Sequence, residues 1–194
     1  SGLLNPALGG APVFPHQPDG VWRDQFMGRF TYEPSLGPAQ YRRSLYAFWR
    51  RTSGPTFLFD SSPRRRCEVI PRRTNTPLQA LTLLNDRTAL EAARQLSDQM
   101  NDAVTEQKDA EAIKTMTDHL WKRVLSRTPR AEELAVITAK YQRAMTYYRE
   151  NPQDAAKLLN IGQRSDVHDR LPERAAAMLM ANLVLNLDEA ITHE

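Results

Sequence analysis

Between Tyr41 and Arg73 the chain holds nine arginines (Arg42, Arg43, Arg50, Arg51, Arg64, Arg65, Arg66, Arg72 and Arg73) against two acids, Asp60 and Glu68. The segment therefore carries a local +7 in a chain of net charge +3, which leaves −4 for everything outside it. Its first four arginines interleave with Tyr41, Tyr46, Phe48 and Trp49. A guanidinium fork grips sulfate, carboxylate or phosphate through paired N–H bonds, and it also stacks on aromatic rings. Such a surface suits a sulfated or carboxylated polysaccharide, an acidic protein face, or single-stranded nucleic acid. It equally suits internal pairing with acids elsewhere in the chain.

The segment runs directly into Arg72-Arg73-Thr74-Asn75-Thr76-Pro77-Leu78-Gln79. Thr76 is a good N-cap, because its hydroxyl can accept an orphaned N–H of the first turn. Pro77 suits the first helical position, where a missing N–H costs nothing, and Gln79 completes a capping box with Thr76. A helix N-terminus favours an anion through its free donors and its dipole. Arg72 and Arg73, with Arg64, Arg65 and Arg66, are thus expected to hold an anion near Thr76. Thr76 uses one backbone donor and Pro77 lacks one, so the guanidinium groups must supply most of the binding through charge-assisted bonds. The alternative is that Asp60, Glu68 or Asp86 closes the site internally.

Other chemistry is harder to place. Cys67 is the only cysteine, followed by Glu68 and Val69, so this chain has no C-x-x-C-H haem attachment and no disulfide or four-cysteine metal framework. The surrounding arginines would lower the Cys67 thiol pKa if they lay close; a buried small residue or a bridge to a cysteine elsewhere are the other readings. His16, His119, His168 and His193 are scattered, and Asp166-Val167-His168-Asp169 reads as a solvated loop rather than a metal site. No G-x-S-x-G nucleophile elbow occurs. A glycosidase needs two carboxyl groups about 5–10 Å apart across a cleft, and Asp60 and Glu68 are the only acids inside the special segment. No catalytic residue, metal or cofactor is assigned, and enzyme activity stays open.

The elements that would carry these residues fall into two parts. Residues 1–75 are Pro- and Arg-rich, with Pro6, Pro12, Pro15, Pro18, Pro34 and Pro38 in the first forty positions. Proline fixes φ and removes donors, so long elements are not expected there. Val13, Phe14, Val21, Trp22, Phe26 and Phe30 are nonetheless too apolar for a free linker. An ordered extension packed on the helices is expected, with one short helix within 20–30. Aromatic enrichment suggests a short strand at Ser44–Trp49, with a helical turn as its alternative. Trp22, Phe26, Phe30 and Trp49 predict an exposed apolar patch that faces the rest of a larger chain, or that in isolation could pair two copies into a homodimer.

Residues 76–194 read as a mainly α bundle of five to six helices. The first runs from Pro77 to about Leu84, and Asp86 caps a second over about Arg87–Met100. A third, about Lys108–Ser126, buries Ala110, Ile113, Met116, Leu120, Trp121 and Val124 at helical spacing. Thr128-Pro129 starts a fourth, to about Arg149, with Leu134, Ile137, Tyr141, Met145 and Tyr148 on its face. Asn151-Pro152 starts a fifth that stops before Gly162, a natural C′ residue. Pro172 opens the last, to about Ile191, apolar around most of its circumference and hence central. Asn182 and Asn186 on it are expected to bond a neighbouring loop or helix end. No run of 18 apolar residues occurs, so no transmembrane helix is expected. No leader pattern is present, and Ser1-Gly2-Leu3-Leu4 reads as the start of an excised piece.

Several strings resemble a known family: Tyr41-Arg42-Arg43-Ser44-Leu45-Tyr46, Phe48-Trp49-Arg50-Arg51-Thr52, Phe59-Asp60, Cys67-Glu68-Val69, and above all Arg73-Thr74-Asn75-Thr76-Pro77-Leu78-Gln79-Ala80-Leu81. Together with Ser1–Pro6, Gly9-Gly10 and Leu185–Glu189, they look like the C-terminal part of the planctomycete-specific domain of unknown function. Where that family usually has Pro after Asn-Asp, this chain has Arg87. The resemblance implies an exported, cell-envelope setting and a multidomain parent whose other domains carry haem c. It supplies no catalytic residue. The reading that follows is a non-catalytic C-terminal module that docks to the remaining N-terminal part of the parent or binds acidic or sulfated polysaccharide. Export disfavours nucleic acid, and no membrane insertion is expected. The alternative is part of a polysaccharide-active hydrolase whose active site is shared with that N-terminal part.

Overall fold

A computed structural model describes residues 1–17, 31–48, 69, 76–104, 109–162 and 169–192. Among these the protein is mainly α, with seven α-helices and two 3-10 helices, and its only β pairing is two isolated bridges. The chain divides into two units, Leu3–Thr82, and Leu83–Glu194 together with Ser1–Gly2. Helix α1, Pro77–Asn85, contains the boundary.

The Leu3–Thr82 unit is an ordered, irregular chain. Asn5 and Val13 form parallel bridges to Arg42 and Ala47, through Asn5 N–H to Tyr41 O (3.0 Å), Val13 N–H to Tyr46 O (2.8 Å) and Phe48 N–H to Val13 O (2.6 Å). Phe14 stacks on Phe48 at 4.7 Å and meets Tyr32 edge-on at 5.5 Å. The expected strand at Ser44–Trp49 is not what Ser44–Tyr46 form. They make a 3-10 turn, and Leu45 is 73% exposed. Tyr46 and Phe48 serve as docking pieces for residues 9–14. The expected helix within 20–30 lies outside the described residues, as do Trp22, Phe26, Phe30 and Trp49 of the expected apolar patch.

The other unit is a helical bundle of α2 Arg87–Asp102, α3 Asp109–Leu125, α4 Ala131–Glu150, α5 Pro152–Leu159, α6 Leu171–Leu185 and α7 Asp188–Ile191. Asp86 caps α2 as its sequence position predicts, accepting from Thr88 N (2.8 Å) and Ala89 N (3.3 Å). Helix α6 is the central one, packing on α2, α4, α5 and α3. Ala175, Ala176, Ala177 and Ala181 on it are all fully buried. Leu183 and Leu187 stay partly exposed, so the apolar circumference does not close completely. Leu96, Met100, Leu120, Trp121, Leu159, Met178 and Met180 fill the core around it.

The last helix was expected to reach Ile191 but breaks at Asn186. In a continuous helix the Asn186 N–H would bond the Asn182 carbonyl. The Asn186 side-chain amide takes that acceptor instead (2.9 Å), and its backbone N–H turns to Leu183 O (3.2 Å). This is side-chain competition for a backbone group. Asn182 bonds the carbonyl of Leu84 at the end of α1 (3.1 Å), the helix-end partner expected of it.

Helix α4 begins at Ala131, two residues later than Thr128-Pro129 suggests. Its cap is supplied from downstream: Glu133 accepts from the Arg130 N–H (2.7 Å) and is held in place by Arg127. Arg127 grips Glu133 through two bonds (2.7 and 2.8 Å) and Glu189 on α7 through two more (2.7 Å each). These bonds lower the Glu133 carboxyl from 4.5 to about 2. A depressed carboxyl stabilises the fold above its ordinary value and ceases to do so as pH falls from 4.5 toward 2. Arg127→Ala should cost about 1–2 kcal/mol at neutral pH, since the site is partly solvated. It should also flatten the acid limb of a urea-stability profile between these pH values. A variant that keeps the wild-type acid dependence would contradict this role.

Candidate functional site

The Arg–aromatic surface begins to take shape at Arg42, Arg43 and Tyr46. The Arg42 guanidinium lies 4.0 Å from the Tyr46 ring centre and that of Arg43 lies 5.9 Å away. Tyr46 is fixed in turn by the Gly9 N–H, which donates to its hydroxyl (3.0 Å). Arg42 also donates to the carbonyls of Ala7 (3.0 Å), Gly9 and Ala11 (3.4 Å). Its fork is thus largely spent on residues 7–11, while Arg43 is exposed beside the same ring. Trp49, Arg50, Arg51, Arg64, Arg65, Arg66, Arg72 and Arg73 lie outside the described residues, together with Asp60, Cys67 and Glu68.

Thr76 stands where the sequence puts it. Its backbone N–H donates to Gln79 Oε1 (2.7 Å) and its hydroxyl accepts from Gln79 N (3.3 Å), a reciprocal capping box. Gln79 N and Ala80 N also bond the Thr76 carbonyl. With Pro77 lacking a donor, Leu78 N–H is the backbone donor of the first turn left without a partner among the described residues. Any anion held here depends on side-chain guanidinium groups, as the composition of the preceding segment suggests. Asp86, a candidate for closing such a site, has its carboxylate committed to the start of α2.

Among the described residues, five acids of the helical unit form ion pairs within that unit. Glu91 meets Arg87 (3.5 Å), Asp98 meets Arg174 (2.7 Å), Asp154 meets Lys157 (3.0 Å), and Glu133 and Glu189 share Arg127. His119 lies half-buried on α3, and its Nε2 has no hydrogen-bond partner among the described residues. The same residues contain no group of three or more His, Cys, Asp or Glu that could hold a metal ion. No helix among them is long and apolar enough to cross a membrane.

A second feature, not read from the sequence, is a cavity of about 330 Å³ in the helical unit. Val104, Ile113, Met116, Tyr141 and Met145 form its floor, and Arg149, Arg170 and Glu173 stand at its edge. The apolar periodicity of α3 and α4 already marks four of the five floor residues as inward-facing. It carries no sign that the facing helices leave a space between them.

The PSD1 family, described as a protein of unknown function (DUF1553), matches residues 1–141. No curated protein and no solved structure gives a significant match. The matched span takes in the whole Leu3–Thr82 unit with its arginine segment and runs into α4; Leu185–Glu189 lies beyond it. It covers well over half of the 194 residues, and the chain therefore belongs to the PSD1 family of proteins of unknown function (DUF1553).

Proposed function

We propose that this chain is a binding module, not a catalytic one, within a larger exported protein whose other domains carry haem c. In this reading its arginine segment takes the sulfate or carboxylate groups of an acidic polysaccharide. The observation that carries the proposal is the charge imbalance of +7 over residues 41–73. Asp98, Asp154, Glu133 and Glu189 support it, because each has a basic partner within the helical unit. Arg43 supports it as well, because it is exposed beside the Tyr46 ring and its guanidinium is not spent on backbone carbonyls as that of Arg42 is. The exported setting and the haem-bearing parent rest on the resemblance of residues 41–81 to the planctomycete-specific domain. Docking to the remaining part of that parent is a second reading. It is favoured by Leu78 and Leu81 on α1, which are 56% and 58% exposed.

The test is a screen of the chain against dextran sulfate and neutral dextran, following both retention and cleavage. Dextran sulfate should be retained and neutral dextran should not. Retention should weaken with salt as exposed charges are screened. Arg64→Ala/Arg65→Ala/Arg66→Ala should lower it about tenfold, for a loss of roughly 1.4 kcal/mol. Equal retention of the two polymers would refute the anionic partner, and cleavage of either would restore the hydrolase.

A further inference from the structure

We infer that the cavity among α2, α3, α4 and α6 binds a small monocarboxylate with an apolar body. This site lies wholly within the helical unit and does not depend on the arginine segment. At about 330 Å³ the cavity has the size of a small ligand pocket and is too large for a packing defect. It would hold roughly ten waters at ~30 Å³ each. Its floor is made by the flanks of well-buried side chains, Val104, Ile113, Met116, Tyr141 and Met145. Against that floor an apolar body gains dispersion contacts, while Asn101, Gln142 and Thr146 add polar groups to the lining. The two methionines adapt their shape to an occupant more readily than branched residues do.

The edge sets the polarity of the ligand. Arg149 and Arg170 bring two guanidinium groups and Glu173 one carboxylate. None of the three forms an ion pair among the described residues, so the edge has a net single positive charge. That balance fits one carboxylate rather than a dianion. Arg170 has a left-handed backbone, with φ at 61°. A non-glycine residue held there is uncommon, and such conformations gather at ligand sites.

Titration calorimetry with decanoate and with decanol tests the site. The wild-type chain should bind decanoate about tenfold or more tightly than decanol. Arg149→Gln/Arg170→Asn should remove that preference while decanol binding persists; Asn tolerates the left-handed backbone at 170. Thr146→Trp, at an exposed position lining the cavity, should abolish binding of both with the thermal midpoint unchanged. The inference is overturned if the wild-type chain does not bind decanoate at millimolar concentration. Undiminished preference in the double variant, or undiminished binding by Thr146→Trp, would overturn it equally.

Discussion

Trp121→Ala is expected to remove about 3–5 kcal/mol of stability, a large share of the 5–15 kcal/mol typical of a folded domain. Trp121 sits on α3, is only 2% exposed, and is the largest side chain buried in the core. Truncation forfeits its transfer from water and leaves a void that fully buried neighbours cannot collapse into. The indole complicates this in a way that can be tested. Its Nε1 is buried with no hydrogen-bond partner among the described residues. A buried unsatisfied donor costs about 1–3 kcal/mol, so Trp121→Phe, which loses volume but sheds that donor, should cost under about 1.5 kcal/mol. Urea unfolding followed by circular dichroism gives both values. Loss of less than about 1 kcal/mol in Trp121→Ala would mean that α3 is not the wall of the core.

Gly162→Ala should cost about 2–4 kcal/mol, from two separable causes. Gly162 follows α5 with φ at 105°, a backbone that side chains rarely adopt. A Cβ there would also lie within 2.5 Å of Glu91 Cγ and 2.7 Å of its Cδ. Glu91 is 7% exposed and paired with Arg87, so its carboxylate cannot swing away freely. A double-mutant cycle with Glu91→Ala separates the two causes. The steric part should vanish in the Glu91→Ala background, leaving about 1–2 kcal/mol of backbone strain. Additive costs would show that only the backbone matters.

Where local chemistry decides, the fold was legible in the sequence. Thr76-Pro77 with Gln79, and Asp86 before Arg87, announce two helix starts through side chains that satisfy their own backbone donors. The 3.6-residue spacing of Ile113, Met116, Leu120 and Trp121 announces the buried face of α3. What failed was decided by side chains reaching across turns or between elements. Arg127 reaches Glu133 and moves the start of α4 past Pro129. Asn186 takes an acceptor from its own helix and ends α6 early. Gly162 falls two residues beyond the Asn160 cap of α5, not at C′, because its role is to make room for Glu91. Tyr46 and Phe48 look like strand residues by composition, yet they are fixed by Arg42, Gly9 and Phe14, partners distant in sequence or invisible to a propensity. The candidate site divides the same way. The arginine segment is plain in composition, whereas the cavity depends on how α2, α3, α4 and α6 pack together.

The central claim is that the arginine segment stays open to an anion and is not closed by the chain's own acids. Thermal unfolding in rising sodium sulfate, against sodium chloride at matched ionic strength, tests it most directly. Wild type should gain a sulfate-specific rise in midpoint, as any ligand bound only by the folded state produces. Arg72→Ala/Arg73→Ala should gain clearly less. Equal rises in the two proteins would contradict the claim and leave internal salt bridges as the better account of these arginines.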